Sequence, residues 1–249
     1  MLKSKKMLSI PSRLFLVMVI FGFMSACKKE LVSSTITSVW TPMPIIPDSS
    51  NFKSYLGLGD SYTIGQSVNA DQRFPVQTAA LLTQNSVQMK LPEIIATTGW
   101  TTGNLISALF NYTPVKTYDF VSLLIGVNNQ YQRRSQDEYR IEFANLLNKA
   151  IFYAGNRKNR VFVLSIPDYS VTPFAQNSDT ARISMEINIF NSINKEITLA
   201  NGVTYLDITP ISREARTDAS LIASDGLHPS SKQYERWAAL LAPMMKAAL

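Results

Sequence analysis

The chain has 249 residues, 46% of them hydrophobic, which suffices for one large core without disulfide or metal staples. A single histidine and a single cysteine rule out the usual zinc ligand sets, and no Walker or dinucleotide fingerprint is present, so neither a metal nor a cofactor is expected. The formal charge of +6 becomes +2 once the four cations of the first 26 residues are set aside, too little to single out nucleic acid as a partner.

Lys3, Lys5, Lys6 and Arg13 form a basic head before the uncharged apolar run 14–24, which has the length of a signal-peptide core and is too short to cross a bilayer as a helix. The lone cysteine follows in Met24-Ser25-Ala26-Cys27 and has no disulfide partner in the chain. This stretch resembles the lipobox of bacterial lipoproteins, with methionine in place of the usual leucine. The resemblance implies cleavage after residues 1–26 and acylation of Cys27; an ordinary secretory signal and an uncleaved anchor are the alternatives. Residues 27–50, with Pro42, Pro44 and Pro47 and no sustained period, read as a tether. That leaves 51–249 as the folded domain. It puts the protein in the bacterial cell envelope, on the periplasmic or outer-membrane side, held to the membrane at Cys27.

From Lys53 onward, short apolar runs alternate with longer amphipathic segments. The runs 55–58, 93–96, 120–125, 161–166 and 203–206 read as strands. The segments 74–84, 102–110, 135–154 and 180–199 read as helices, as does a last one from about 230 that Pro243 should bend or end. Ser135 with Glu138 has the pattern of a capping box, and Ile183, Ile187, Phe190 and Ile197 give the fourth of these helices an apolar face. Such alternation predicts a three-layer α/β/α sandwich with a mainly parallel five-stranded sheet and right-handed crossovers.

Ligand sites in open α/β sheets form outside the carboxyl ends of the strands, and four loops that fall there carry polar signatures. The first is Gly59-Asp60-Ser61, whose serine is a candidate nucleophile and whose Asp60 reads as a turn former. The second contains Gly99-Trp100-Thr101-Thr102-Gly103. The third is Gly126-Val127-Asn128-Asn129, and the last is Asp225-Gly226-Leu227-His228. An aspartate three residues before the only histidine could bond one ring nitrogen and leave the other for Ser61, as serine hydrolysis requires. Trp100 reads as packing, and Pro167-Asp168-Tyr169 first of all as a turn.

Taken in order, these blocks resemble the SGNH (GDSL) hydrolase family over residues 53–240. The resemblance implies a flavodoxin-like fold, Ser61 as nucleophile, His228 as base and Asp225 as its orienting carboxylate. It also implies an oxyanion hole from the Ser61 and Gly99 amides and the Asn128 side chain, with Gly103 as the fallback for Gly99. Tyr62 stands where the family has leucine, a change that bears on packing. Asn129 stands where the family has aspartate, which keeps the Asn128 donor and alters its hydrogen-bond support.

The function so implied is a serine esterase acting on acetyl or short acyl esters of carbohydrates or small molecules. A lysophospholipase-type acyl hydrolase and a non-catalytic glycan-binding envelope lipoprotein are the alternatives, with acyl transfer a further one.

Overall fold

The computed structural model describes residues 51–249; the expected signal segment 1–26, Cys27 and the tether 27–50 lie outside the described residues. Five strands form one sheet in the order β2-β1-β3-β4-β5, every neighbouring pair parallel. They are β1 (Tyr55–Gly59), β2 (Glu93–Ala96), β3 (Phe120–Leu124), β4 (Val161–Leu164) and β5 (Thr204–Leu206). Every residue of β1, β3 and β4 is buried, whereas the edge strands β2 and β5 are partly exposed. Both faces of the central strands are covered by helices, which explains their unbroken apolar runs.

The main helices are α2 (Phe74–Gln84), α3 (Thr102–Ala108), α5 (Gln136–Tyr153), α6 (Thr180–Ala200) and α8 (Ser231–Ala247). The first and last pack together, α2 on α8, while α3, α5 and α6 pack in series on one another. This is the two-sided cover that right-handed crossovers produce from this strand order. Phe74 of α2 meets Tyr234 and Trp237 of α8 at centroid distances of 6.3 and 6.0 Å, and all three rings are fully buried. The expected three-layer α/β/α architecture with a five-stranded parallel sheet is therefore the observed one.

Three short helices, α1 (Ser61–Ile64), α4 (Val127–Tyr131) and α7 (Thr209–Arg213), were not expected from periodicity, because one turn is too short to display a period. Of the two outcomes expected at Pro243, an end to the helix is not what is seen. Helix α8 continues through Pro243 to Ala247, with Ala242 and Met245 buried on either side and holding its last turns on the core. Arg157, exposed in the loop before β4, donates to the carbonyls of Ala154 and Tyr118 at 2.8 and 2.7 Å. Among the described residues no helix is long and apolar enough to cross a membrane.

Candidate active site

Strand β1 runs straight into α1, so Ser61 sits on the first helical residue at the carboxyl edge of the sheet. It lies where the chain leaves β1 towards β2 and leaves β3 towards β4, the topological switch point. Gly59 permits the sharp entry. A Cβ there would lie 2.2 Å from Thr63 Oγ1 and 2.3 Å from the Leu124 carbonyl oxygen, so only glycine fits. Asp60 caps α1 by accepting the Tyr62 N–H at 3.0 Å, in line with its reading as a turn former.

Ser61 lines a cavity of about 170 Å³ with Thr98, Gly99, Asn128 and His228; Tyr62, Val127, Tyr131, Tyr169, Phe174 and Leu227 complete its wall. The four loops singled out from the sequence thus meet at one place, although residues 61 and 228 are far apart in the chain. Tyr131, Tyr169 and Phe174 form a triangle of rings at centroid distances of 6.2–6.3 Å. Tyr62 presents its ring to His228 edge-on at 5.7 Å, so the residue that replaces the family leucine packs directly on the imidazole.

His228 Nδ1 lies 2.6 Å from Asp225 Oδ2. Asp225 Oδ1 accepts the backbone N–H groups of Leu227 at 2.9 Å and His228 at 3.0 Å, and Oδ2 also accepts the Ser67 hydroxyl at 2.6 Å. Burial works against the charge of Asp225, but these donors outweigh it and hold the carboxyl well below the usual carboxylate range. An ionised Asp225 places the imidazole proton on Nδ1 and leaves Nε2 as the acceptor. The loop is closed by the Ala223 N–H donating to the His228 carbonyl at 2.8 Å.

On the other side of Ser61, Asn128 occupies the first turn of α4, and its Nδ2 donates to the Trp100 carbonyl at 2.9 Å. One hydrogen of that amide is thereby fixed and the second remains for a ligand. Gly99 is the third residue of a turn closed by the Trp100 N–H on the Thr97 carbonyl at 3.2 Å, and its φ of +85° is the value a type II turn demands there. Such a turn makes no use of the Gly99 N–H. Gly103 lies in α3 instead, where a Cβ would sit 3.1 Å from Glu142 Oε1; it is absent from the cavity wall, so the geometry favours Gly99. Trp100 is partly buried and packs on the core, as expected.

Asn129 is 1% exposed. Its Oδ1 accepts the Thr102 N–H at 3.0 Å, and its Nδ2 donates to Thr102 Oγ1 at 2.6 Å. The Thr102 hydroxyl in turn donates to Glu142 of α5. The amide in place of the family aspartate therefore joins α4 to α3 directly and to α5 through a hydroxyl.

Asp168 is also a structural group. It is 1% exposed, caps Ser170, pairs with Arg213 at 2.9 Å and accepts from Ser184 at 2.6 Å, which anchors the segment bearing Tyr169.

A larger groove of about 530 Å³, lined by Gln130, Arg133, Arg134, Arg182 and Glu186, holds no pairing of a nucleophile with a base. Among the described residues no three His, Cys, Asp or Glu side chains converge into a metal-holding group. Sequence reasoning missed Ser67, which reaches Asp225 across 158 positions and sits in no motif, and the role of Asn129, whose partner lies 27 positions away.

No curated protein matches the chain in sequence. Solved structures do match its fold. A lipase/acylhydrolase from Enterococcus faecalis is 18% identical, with a TM-score of 0.61 over 79% of this chain and 96% of that one. An acetylxylan esterase from Geobacillus stearothermophilus is 18% identical, with a TM-score of 0.55 over 78% and 94%. A psychrotrophic esterase from Pseudoalteromonas sp., solved inhibited by monoethylphosphonate, is 14% identical, with a TM-score of 0.54 over 79% and 96%. Identities this low carry the fold alone. The family model of the GDSL-like lipase/acylhydrolases matches residues 58–236, a span that takes in Ser61, Gly99, Asn128, Asp225 and His228. The chain therefore belongs to the GDSL-like lipase/acylhydrolase family and is a carboxylic ester hydrolase of that kind.

Proposed function

We propose that the protein is a serine esterase that removes acetyl or other short acyl groups from carbohydrates or small molecules through an acyl-Ser61 intermediate. Ser61 Oγ attacks the ester carbonyl as His228 Nε2 takes its proton, and the same proton then goes to the leaving alcohol. Asp225 remains ionised and stabilises the imidazolium. The Ser61 and Gly99 N–H groups and Asn128 Nδ2 receive the developing oxyanion, each worth about 3 kcal/mol to the transition state. Water repeats the sequence on the acyl-enzyme and frees Ser61.

The observation that carries this reading is the sole histidine, oriented at 2.6 Å by Asp225 and sharing one cavity with Ser61, Gly99 and Asn128. At about 170 Å³ the cavity is smaller than the roughly 300 Å³ at the low end of ordinary ligand pockets, which favours a short acyl group over a buried lipid chain. A fluorophosphonate probe should label the wild type and not Ser61→Ala, and a p-nitrophenyl ester series should show activity falling as the acyl chain lengthens. Failure of a folded wild type to label would support a binding protein that kept the fold, and a strong preference for long chains would support a lysophospholipase.

The sequence supports a further part of the proposal: residues 1–26 are removed as a signal, Cys27 carries lipid, and residues 27–50 tether the 51–249 domain to the bacterial envelope. Incorporation of labelled palmitate in the wild type and its loss in Cys27→Ser would bear this out.

A further inference from the structure

We propose that Ser67 is a positioning residue for the base, acting through Asp225, and that the turn it belongs to sets the histidine loop and the oxyanion loop against the serine. The inference rests on the roles given above to Ser61, Asp225 and His228 and adds a residue from the serine's own turn.

Helix α1 ends at Gly65, where the N–H groups of Gly65 and Gln66 both donate to the Ser61 carbonyl at 3.0 Å. The chain then places Ser67 at φ +67°, a left-handed conformation that a residue with a Cβ seldom adopts. That conformation brings Ser67 Oγ to 2.6 Å from Asp225 Oδ2. The bonds to the carboxylate are divided: Oδ1 is taken by two N–H groups of the histidine loop, and Oδ2 by Ser67 and the imidazole. Rotation of the carboxylate would break bonds on both sides. The preceding residue works in the other direction, for Gln66 Oε1 accepts the Thr98 hydroxyl at 2.6 Å, next to Gly99. Two consecutive side chains thus tie the serine turn to the loop of the base and to the loop of an oxyanion donor.

The Ser67 hydroxyl also has an electrostatic effect. It donates to the oxygen that faces the imidazole and draws negative charge away from that bond, which limits how firmly Asp225 stabilises the charged ring. Tyr62 on the serine turn and Tyr234 of α8 are the tyrosines that feel the charge of Asp225, and Asp60, Asp168, Tyr169 and Arg73 are the further titratable groups that act on those two. Ser67 bonds to none of these, so its removal reads out on Asp225 and His228.

The chain has one histidine, so ¹⁵N-histidine labelling of the full-length protein gives the titration of His228 alone. In both Ser67→Ala and Ser67→Gly the midpoint of that titration should rise by about half a unit. In both, kcat for p-nitrophenyl acetate should fall about tenfold with KM changed less than about twofold. The glycine variant relieves the backbone and the alanine variant does not, so equal effects assign the role to the hydroxyl. Wild-type behaviour of Ser67→Gly would assign it to backbone shape and overturn the proposal, as would unchanged midpoint and kcat in both variants. If the wild type fails to turn over the ester, the esterase reading fails, and the histidine titration still decides the part played by Ser67.

Discussion

The serine turn and the histidine loop each bring an aspartate to the candidate site, and the two carboxyls are driven in opposite directions. Asp60 is fully buried, and burial pushes its carboxyl up from 3.8 to about 7 against the backbone N–H groups of Tyr62 and Gly126; its Oδ2 has no hydrogen-bond partner. Asp225 also loses solvation, yet the Ser67 hydroxyl, two backbone amides and the imidazole keep it ionised. Complete burial with backbone donors alone, against partial burial with side-chain and backbone donors together, separates a turn former pushed towards its neutral form from a charge that can stabilise an imidazolium.

The largest expected effect tests this division directly. Asp225→Asn should lower kcat about 10⁴-fold by favouring the wrong imidazole tautomer, while Asp60→Asn, which keeps an acceptor for Tyr62, should cost less than about tenfold. Steady-state ester hydrolysis by both variants would break the comparison if the two losses were alike.

A smaller effect lies in stability. Between pH 3.8 and about 7 the folded chain holds a proton on Asp60 that the unfolded chain has released, so this group's contribution is complete at low pH and is lost as pH rises through that window. The loss amounts to about 4 kcal/mol at most. Asp225 behaves in the opposite sense: its contribution is present above 3.8 and disappears as pH falls below that value. Urea unfolding at about pH 4 and about pH 8 should show a pH dependence in the wild type that Asp60→Asn flattens, and acid unfolding should be blunted in Asp225→Asn.

Next comes the oxyanion side. Asn128→Ala removes a donor already oriented by the Trp100 carbonyl, and kcat should fall about 10²–10³-fold with little change in KM. A loss confined to KM would move Asn128 from the transition state to ground-state binding.

How far these groups could be read in the chain depends on the range of their contacts. Strand β2 and helix α2 fall on the residues expected, because Pro92 and Thr97 bracket one apolar run and Pro75 marks the first turn of the other. Asp225 and His228 were legible as a pair since their bond spans three positions, within one loop. Ser61, Gly99 and Asn128 could be placed because a parallel sheet sends every strand's carboxyl end to the same edge. Asn129 and Asp60 were only half-legible, and Ser67 was not legible at all. Their partners are set by how loops from different strands interlock, and a buried orphan oxygen such as Asp60 Oδ2 exists only once the core has closed over it.

The smallest effect concerns the substitution at the family's aspartate position, where charge again depends on donors. The Thr102 hydroxyl has one proton, and with an amide at 129 that proton goes to Glu142 while Asn129 Nδ2 donates to the hydroxyl oxygen. Asn129→Asp would put two carboxylates around one hydroxyl, with no donor left for its lone pair. The cost should be about 1–2 kcal/mol of stability. Glu142→Gln in the same chain supplies the missing hydrogen and should recover most of that loss, so the pair of changes should be less damaging than the first alone. Additive losses in a urea-denaturation cycle would mean that residues 129 and 142 do not compete for the Thr102 hydroxyl, and that the hydroxyl bridge to α5 contributes little to holding Asn128 at the cavity.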